Sequence, residues 1–318
     1  MKVLITGIGG FVGSHLADFL VAKEIQLFGL MRDVGRNENI KNIINHISLH
    51  QADINDFTSL LKVIKQTKPD IILHTAGQPF VPSSFEHTAE TFQVNVIGTI
   101  NLLEAIKAAD IKTRTLIITS GEIYGEVIGL PLPTEKSIPN PVNPYAASKT
   151  SIDYISQTYK KFEGLDIVIA RPFNHTGPRQ RANFVCSSIA KQLVNLKKTK
   201  QKYILNLGNI SAQRDFTDVR DVVKAYWQIA NLKENENFIF NVSSGIQRTI
   251  KNVIQLFEKI IGEEISINVE KGRLRGYDIQ LMAGDSTLIK NITGWKPIIP
   301  FEQTLQDLLH YWEQKEIE

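Results

Sequence analysis

The chain has 318 residues, of which 42% are hydrophobic and 22% are charged, and its formal net charge at pH 7 is +3. These values are typical of a soluble folded protein with a large core, and they exclude a disulfide-stapled miniprotein, a disordered chain and a collagen-like chain. The nearly balanced charge gives no bulk reason to expect nucleic acid or a membrane as a partner, so any anionic ligand must be held by local cations.

The first half of the sequence alternates predicted strands with predicted helices. Short apolar runs predict strands at 2–6, 26–31, 47–49, 70–74, 115–119 and 166–170. Apolar residues at helical spacing predict helices after Gly10, around 60–64, and at 92–108 and 145–162. Strands joined by helices of this length require right-handed crossovers, so the pattern predicts a doubly wound parallel α/β sheet of the Rossmann type, covered on both faces.

Beyond Pro172 the pattern changes to a loop, a helix ending near Leu196 and shorter mixed elements, which predict a second, smaller α/β lobe for the substrate. A later helix at 220–232 and a strand at 238–242 resume the earlier alternation. The predicted division is therefore a dinucleotide-binding domain of residues 1–172, with 215–243 returning to it, and a substrate lobe made mainly of 173–214 and 244–318.

The cysteine and histidine content bears on compartment and metal binding. The single cysteine, Cys186, excludes an internal disulfide, and its apolar helix predicts a small core residue. No apolar signal stretch precedes the first strand, and no run of about 18 apolar residues could span a membrane. These features predict a cytoplasmic protein. The seven histidines show no metal-ligand spacing, so no metal site is predicted.

A glycine-rich loop joins the first strand to the first helix. Gly7, Gly10 and Gly13 form a Gly-x-x-Gly-x-x-Gly pattern. Such glycines permit a tight turn, close approach of a pyrophosphate and close helix-to-strand packing, while the helix N-terminus supplies N–H groups. The loop therefore predicts a dinucleotide site, to which Phe11 and Val12 in the first helical turn also contribute.

The end of the second strand distinguishes NADP from NAD. An acidic residue there accepts from the ribose 2′-hydroxyl, whereas a basic residue pairs with a 2′-phosphate. Arg32 comes first and favours NADP, while Asp33 keeps NAD open. Asp53 and Ile54, after the third strand, are predicted to contact the adenine, although an aspartate at a strand end is also a common turn residue.

A phenol and an ammonium group form the predicted catalytic pair. Tyr145 and Lys149 are four residues apart and therefore lie on one face of a helix. A nearby lysine charge favours the phenolate and is expected to lower the tyrosine pKa from about 10 toward the working range. Ser120 follows the strand at 115–119, at the sheet edge where open α/β sheets bind ligands, and its hydroxyl is predicted to complete the site.

The glycine loop, Asn95, Ser120 and the Tyr145/Lys149 pair occur in the order and spacing of the extended short-chain dehydrogenase/reductase family. The chain resembles this family over nearly its whole length. The resemblance implies that Tyr145 is the acid/base, Lys149 its modulator and a ribose ligand, Ser120 a donor to the reacting oxygen, and Asn95 a residue of the cofactor site. It also implies a homodimer formed through two helices of each subunit.

The segment 171–178 resembles the entry of the nucleotide-sugar branch into its substrate lobe. In the part of that branch that acts on GDP-linked sugars, arginines clamp the diphosphate, whose roughly two negative charges match bidentate guanidinium groups. The substrate-binding residues implied by this resemblance are Asn174, Arg179, Lys191, Arg214 and Arg275.

Within this branch the chain is most similar to the GDP-6-deoxy-4-keto-D-mannose reductases. The resemblance implies NADPH-dependent reduction of the C4 ketone of GDP-4-keto-6-deoxy-D-mannose to GDP-D-rhamnose, although the configuration at C4 stays open. A GDP-mannose 4,6-dehydratase, another nucleotide-sugar dehydratase or an epimerase is the main alternative, and a non-catalytic NAD(P)-sensing protein is the second. Gly121 has no side chain to donate the proton that a dehydratase needs, whereas Glu122 retains one acidic group of that reaction.

Overall fold

A computed structural model describes residues 1–129, 131–233, 237–270 and 279–315. The strands are β1 (Lys2–Thr6), β2 (Gln26–Met31), β3 (Ile47–Gln51), β4 (Ile71–His74), β5 (Arg114–Ile118), β6 (Asp166–Pro172), β7 (His175–Thr176), β8 (Ile204–Leu207), β9 (Gln213–Asp215), β10 (Thr217–Asp218), β11 (Ile239–Val242), β12 (Gln247–Thr249), β13 (Ser266–Val269) and β14 (Leu281–Met282). The α-helices are α1 (Phe11–Val21), α2 (Phe57–Thr67), α3 (Val81–Glu86), α4 (Thr88–Phe92), α5 (Gly98–Ala109), α6 (Pro144–Phe162), α7 (Val185–Lys198), α8 (Val219–Ala230), α9 (Ile250–Ile261), α10 (Thr287–Thr293) and α11 (Phe301–Lys315). Among the described helices, none is both long enough and apolar enough to cross a membrane.

A seven-stranded parallel sheet with the order β11-β6-β5-β4-β1-β2-β3 forms the larger part of the molecule. Its strands are apolar runs, and all four residues of β4 are buried, as expected for a sheet covered by helices on both faces. Leu16 of α1 and Tyr226 of α8 lie in the core of one face, whereas Leu102 of α5 and Ile152 of α6 lie in the core of the other. The predicted doubly wound fold is confirmed.

The strand order reverses between β1 and β4, which are hydrogen-bonded neighbours at the centre of the sheet. In such sheets the connections leave in opposite directions on either side of this point and open a crevice at the carboxyl ends of the strands. The glycine loop after β1 and the loop after β4 both lie at that crevice.

The remaining strands and helices form smaller layers beside the carboxyl ends of the large sheet. They comprise a three-stranded sheet, β12-β9-β14, and two-stranded sheets formed by β13 with β8 and by β10 with β7. Helices α7, α9 and α11 enclose a core of their own, in which the Trp312 indole N–H donates to Ser187 Oγ at 3.0 Å. From the sequence, no individual helices were predicted for the C-terminal part of the chain, which contains α9 and α11.

After β7 to β10, which belong to the smaller sheets, the chain returns to the large sheet. β11 pairs in parallel with β6, with Phe240 opposite Ala170. The strand at 238–242, predicted to resume the earlier pattern, therefore lies at the edge of the large sheet beside β6. The full division of the chain into two lobes stays a prediction.

The helix predicted at 92–108 differs in detail from the structure. α4 ends at Phe92, a π-helical turn covers Gln93–Ile97, and α5 begins at Gly98. A π-helical turn inserts extra chain into a helix and is common at functional sites. Here it contains Asn95, whose side chain is 2% exposed and is used in the site described below.

Candidate active site

The glycine loop has the shape that the sequence pattern predicts. Gly7 has a φ of +69°, and a Cβ atom there would lie 2.9 Å from Ala76 Cα. A Cβ atom at Gly13 would lie 2.4 Å from the Gly7 carbonyl oxygen. Both distances are below a normal contact, so glycine is required at position 7 for the close approach of the loop after β4, and at position 13 to bring α1 against the end of β1.

The N-terminus of α1 is open to an anion. Gly10 is the N-cap and its N–H donates to the Gly7 carbonyl at 2.9 Å, but it has no side chain to cap the helix. The N–H groups of Phe11 and Val12 belong to the first turn, where no partner exists within the helix. Together with the helix dipole they fit the pyrophosphate of a dinucleotide.

The loop after β2 carries a second arginine, Arg36, in addition to the predicted cofactor residue Arg32. Arg32 is exposed, whereas Asp33 accepts from the Gly35 N–H at 3.0 Å and forms an ion pair with Arg36 at 3.3 Å. The Asp33 carboxylate is therefore already engaged, and Arg32 and Arg36 flank it. Arg36 was missed, although a second arginine in the same short loop was readable from the sequence.

Asp53 and Ile54 follow β3 at the same sheet edge. Asp53 Oδ1 accepts from the Asn55 N–H at 2.9 Å, which is the turn role that the sequence left open. Ile54 is buried, and a Cβ at Gly98 would lie 2.8 Å from its Cδ1 atom. Their contact with an adenine stays a prediction.

Ser120, Tyr145 and Lys149 are brought together at the end of β5. Ser120 starts a 3-10 turn, and its Oγ accepts from the Glu122 N–H at 3.1 Å. Tyr145 lies in the first turn of α6 and is 8% exposed, and the Ser120 side chain acts on the pKa of its phenol. Lys149 donates to the Ile118 carbonyl at 2.9 Å, and its Nζ lies 5.9 Å from the centre of the Tyr145 ring. One phenol, one hydroxyl and one ammonium group therefore share a small buried region.

Burial dominates the proton affinities of this pair. It raises the pKa of Tyr145 well above its usual value; the hydrogen bond from Ser120 opposes this rise and the nearby Glu122 charge adds to it. Burial lowers the pKa of Lys149 to about 8. The predicted lowering of the tyrosine pKa is therefore wrong for this structure, because the removal of the phenol from water raises it. The phenol therefore keeps its proton at pH 7.

The start of α6 is fixed by residues that the sequence analysis missed. Asn143 caps the helix by accepting from the Ala146 N–H at 2.7 Å, and its Nδ2 donates to Glu122 at 2.9 Å. The Tyr145 N–H donates to Ser84 Oγ at 3.1 Å. An asparagine directly before a proline is a readable signal for a helix start, but its contact with Glu122 is not.

Asn95 joins three segments around the cofactor crevice. Its Oδ1 accepts from the Gln78 N–H at 2.8 Å, and its Nδ2 donates to the Gln78 carbonyl at 3.1 Å and to Ser148 Oγ at 3.0 Å. The amide is thus used within the protein and holds the loop after β4 against α6. The structure places Asn95 beside Lys149, since both side chains lie near Gly77.

His74 connects β1, the strand before the glycine loop, to the segment around Asn95. Its ring bonds Thr6 Oγ1 at 2.7 Å and Thr99 Oγ1 at 3.1 Å, and Thr99 in turn donates to the Asn95 carbonyl at 2.6 Å. Burial and, secondarily, the Lys149 charge lower the pKa of His74 to about 3, so the ring is neutral. The histidine at the end of β4 is therefore hydrogen-bonded on both ring nitrogens and links β1 with the π-helical turn.

The ring of Phe173 is held between two glycines. A Cβ at Gly121 would lie 2.7 Å from this ring, and a Cβ at Gly284 would lie 2.1 Å from it. Tyr124 stacks on Phe173 with ring centres 6.1 Å apart. The ring therefore occupies the space that any side chain at position 121 would need.

A buried ion pair supports the 3-10 turn that begins at Ser120. Arg171 donates to both oxygens of Asp153 at 2.8 Å, and it also donates to the Tyr124 hydroxyl at 2.8 Å. The Tyr124 hydroxyl donates to Asn241 at 2.8 Å. The Asp153 and Arg171 side chains are 0% and 4% exposed, so this network fixes β6, α6 and the turn relative to one another.

The predicted substrate residues near β7 differ in their contacts. Asn174 Oδ1 is buried without a hydrogen-bond partner, which is the state expected of an atom that binds a ligand. Arg179 has a φ of +71° and forms an ion pair with Asp18 of α1 at 2.7 Å. Arg179 therefore ties the segment after β7 to α1 through Nη2, while its Nη1 atom is buried without a hydrogen-bond partner, and its contact with substrate stays a prediction.

The other predicted substrate cations lie in the smaller layers. Arg214 is in β9 and donates to the Gln213 carbonyl at 2.8 Å, while the Lys191 ammonium lies 5.0 Å from the centre of the Trp312 ring. Arg275 lies outside the described residues. Binding of the sugar nucleotide by these residues stays a prediction.

The comparisons with known proteins agree with this arrangement. A protein-family model described as GDP-mannose 4,6 dehydratase matches residues 4–308. The chain is 35% identical over 315 residues to GDP-6-deoxy-D-mannose reductase of Pseudomonas aeruginosa, covering 99% of this chain and 98% of that protein. It is 29% identical over 337 residues to GDP-mannose 4,6 dehydratase of Homo sapiens, covering 96% of this chain and 90% of that protein.

Solved structures give the same fold over the full length. The structure of RMD from Pseudomonas aeruginosa complexed with NADPH has a TM-score of 0.84 and 34% sequence identity, covering 99% of each chain. UDP-glucose 4-epimerase of Thermotoga maritima with UDP-glucose has a TM-score of 0.88 and 25% identity, covering 100% of each chain.

Proposed function

Since this chain belongs to the GDP-mannose 4,6-dehydratase family of extended short-chain dehydrogenases/reductases, we propose that it reduces the C4 ketone of GDP-4-keto-6-deoxy-D-mannose with NADPH. The product is then GDP-D-rhamnose. The observation that carries the proposal is that Ser120, Tyr145 and Lys149 are all buried at the end of β5 and the start of α6, with the Lys149 ammonium 5.9 Å from the centre of the Tyr145 ring. The full-length similarity to a GDP-6-deoxy-D-mannose reductase supports the choice of substrate.

The residues at the crevice fit a nicotinamide dinucleotide. Gly7, Gly10 and Gly13 make room for its pyrophosphate against the first turn of α1, and Arg32 is available to a 2′-phosphate. When bound, NADPH supplies the hydride that reduces the ketone carbon. The RMD structure with NADPH supports NADP over NAD.

The chemistry assigned to this chain's own residues is proton delivery and oxyanion stabilisation. Ser120 donates a hydrogen bond to the ketone oxygen, and Tyr145 gives its proton to that oxygen as negative charge develops there. Lys149, which is 8% exposed, holds a ribose hydroxyl and favours charge on the phenol oxygen once its proton has left. Removal of one such donor typically costs about 3 to 4 kcal/mol of transition-state stabilisation.

The packing around Gly121 supports reduction over dehydration. A 4,6-dehydratase needs an acid and a base near C5 and C6, and the Phe173 ring leaves no space for a side chain at position 121. Glu122 keeps GDP-mannose 4,6-dehydratase as the second candidate, because its carboxyl group is one of the two acid–base groups that dehydration needs. However, Asn143 already donates to the Glu122 carboxylate at 2.9 Å.

Two incubations distinguish these functions. We expect the protein to consume NADPH with GDP-4-keto-6-deoxy-D-mannose, to yield GDP-D-rhamnose by NMR, and to leave GDP-mannose unchanged. Conversion of GDP-mannose to its 4-keto-6-deoxy derivative would instead assign the dehydratase. Binding of NADPH without turnover of either sugar would favour an NADP-sensing role.

Tyr145→Phe tests the proposed acid. Loss of the proton donor should lower kcat by about 10²-fold to 10⁴-fold while the Kd for NADPH stays within about twofold. Tyr154→Phe is the matched control, because Tyr154 lies on the same helix with 51% of its surface exposed. Equal turnover of the two variants would remove Tyr145 from the mechanism.

The GDP-sugar is proposed to bind through Asn174, Lys191 and Arg214. The unpartnered Oδ1 of Asn174 lies near β10, because the Thr217 N–H donates to the Asn174 carbonyl at 3.0 Å. β10 in turn follows Arg214 along the chain by three residues. Arg214→Ala should raise KM for the GDP-sugar at least tenfold with a smaller change in kcat.

A homodimer is proposed on the exposed face of the helices before and after β5. Ile97 lies just before α5, and Tyr154 and Phe162 lie in α6; they are 40%, 51% and 72% exposed and offer apolar surface to a second copy of the chain. Analytical ultracentrifugation should give twice the chain mass, and Tyr154→Glu should shift the protein toward monomer. A monomeric wild-type protein at micromolar concentration would refute the dimer.

The cytoplasm is the proposed location. The one thiol, Cys186, is buried, and its burial raises its pKa to about 12, so it is unreactive toward oxidation. Fractionation of the source cells should place the protein with cytoplasmic enzymes.

A further inference from the structure

The segment after β2 is folded against the glycine loop. The Asn39 side-chain amide donates to the Gly9 carbonyl at 2.9 Å, and the Arg36 carbonyl oxygen lies 3.3 Å from the position of a Cβ atom at Gly9. In such sheets the adenosine ribose of a dinucleotide is bound at the carboxyl end of the second strand. The side chains of residues 32–36 therefore border the place of the ribose, whose 2′ substituent distinguishes NADP from NAD.

A tight turn brings the Arg36 guanidinium onto the Asp33 carboxylate. The Arg36 N–H donates to the Asp33 carbonyl at 3.2 Å. The Gly35 N–H donates to Asp33 Oδ1 at 3.0 Å, and Arg36 Nε lies 3.3 Å from Asp33 Oδ2. Both oxygens of the Asp33 carboxylate are thus engaged inside the turn.

This ion pair is in contact with water and is easily opened. The Arg36 and Asp33 side chains are 85% and 56% exposed, and exposed pairs contribute little to stability. A phosphate monoester carries about two negative charges and offers three oxygens, so it is a stronger partner for a guanidinium group than a single carboxylate. A ribose hydroxyl is uncharged and cannot replace the carboxylate in this way.

The same pair therefore acts on the two coenzymes in opposite directions. The 2′-phosphate of NADP is attracted by Arg36 and is repelled by an unpaired Asp33 carboxylate. The 2′-hydroxyl of NAD needs an acidic acceptor at this place, and Asp33 is such an acceptor. Asp33 is less available to that hydroxyl as long as Arg36 is bound to it.

We propose that Arg36 sets the coenzyme preference of this protein: it binds the 2′-phosphate together with Arg32, and its ion pair withholds Asp33 from the 2′-hydroxyl of NAD. The inference rests on the dinucleotide site of the proposed function and adds a residue that selects between the two coenzymes. Arg32 supplies a charge to the phosphate, whereas Arg36 supplies a charge and also occupies the competing acceptor.

Fluorescence titration of the full chain with NADPH and with NADH tests the proposal. Arg36→Ala should raise the Kd for NADPH about tenfold and lower the Kd for NADH about threefold, because the phosphate loses a partner while Asp33 becomes available to the hydroxyl. Lys65→Ala is the matched control, since Lys65 is exposed in the last turn of α2, which leads to the amino end of β4. The control removes the same charge and should leave both constants within about twofold.

A second substitution separates the ion pair from a structural role. Asp33→Asn added to Arg36→Ala should cancel the gain for NADH, because an amide is a weaker acceptor than a carboxylate, and should restore part of the affinity for NADPH. Equal losses of affinity for both coenzymes in Arg36→Ala would show that Arg36 only shapes the loop and would overturn the inference, as would unchanged Kd values. A wild-type protein that binds neither coenzyme would contradict the proposed function as well, whereas NADPH binding that ignores Arg36 contradicts the inference alone.

Discussion

The buried ammonium of Lys149 should lower the stability of the folded protein. Lys149 is 8% exposed, and the Ile118 carbonyl, at 2.9 Å from Nζ, accepts its hydrogen bond. Burial lowers its pKa from 10.5 to about 8. Lys149→Met removes the charge, keeps much of the side-chain volume, and should stabilise the folded chain at pH 7 while abolishing turnover.

The magnitude follows from the change in proton affinity. A pKa lowered from 10.5 to about 8 corresponds to about 3 kcal/mol, because each unit is worth about 1.4 kcal/mol. Methionine leaves the Ile118 carbonyl without its donor, which costs about 1 to 2 kcal/mol. The expected net gain in the free energy of unfolding is therefore about 1 to 2 kcal/mol.

The pH dependence gives an independent measure of the same effect. Below pH 8 the ammonium is charged in both the folded and the unfolded chain, so the full cost of burying it is present. Between about pH 8 and 10.5 the folded chain releases this proton and the unfolded chain keeps it, so stability rises with pH. From pH 7 to 9.5 the wild type should gain about 2 kcal/mol relative to Lys149→Met.

Urea unfolding followed by tryptophan fluorescence measures both quantities. Lys161→Met is the control, since Lys161 is exposed in the last turn of the same helix. The series ends at pH 9.5 because the raised pKa of the buried Tyr145 makes the folded chain lose stability at higher pH. A less stable Lys149→Met variant at pH 7, together with parallel pH profiles for wild type and variant, would refute the reasoning.

Three further changes test other parts of the structure. Arg32→Ala should raise the Kd for NADPH about tenfold, equivalent to about 1.4 kcal/mol, and should leave the Kd for NADH within twofold. Fluorescence titration measures both constants, and an equal loss of affinity for NADPH and NADH would place Arg32 away from the 2′-phosphate. Gly121→Ala should lower the free energy of unfolding by about 1 to 3 kcal/mol, because the new Cβ would lie 2.7 Å from the Phe173 ring. Adding Phe173→Leu should recover part of this loss. Strictly additive losses in the double variant would contradict the contact. Asp153→Asn should cost about 3 to 5 kcal/mol in thermal or urea unfolding because Arg171 is left buried without a counter-charge, and a loss below about 1 kcal/mol would show that the pair is dispensable.

The sequence predicted the large sheet well because its signals are local. Apolar runs bounded by turn residues placed β1 and β2 at their observed bounds, and the strand-glycine-helix pattern placed the loop at Gly7. The spacing of Tyr145 and Lys149 also follows from helical geometry alone. Side chains at i and i+4 lie on one face wherever the helix packs.

Properties that depend on burial and on contacts between residues distant in sequence could not be predicted from local patterns. The direction of the Tyr145 pKa depends on how completely other segments cover the phenol, and this packing reversed the predicted shift. The Phe173 ring packs against both Gly121 and Gly284, and no local sequence pattern predicts that these two distant residues contact the same side chain. The ion pair of Arg179 with Asp18 likewise could not be separated from a ligand contact until both positions were known.

The position of β11 affects how the large sheet can be completed. Among the described strands its only partner is β6, which otherwise lies at the border of the sheet. During synthesis β6 therefore presents bare N–H and C=O groups until Ile239–Val242 has left the ribosome, and exposed strand borders of this kind invite pairing between nascent chains. A fragment that stops at Pro172 would keep this border permanently, so expression of the first 172 residues alone should yield aggregates in place of a free dinucleotide-binding unit.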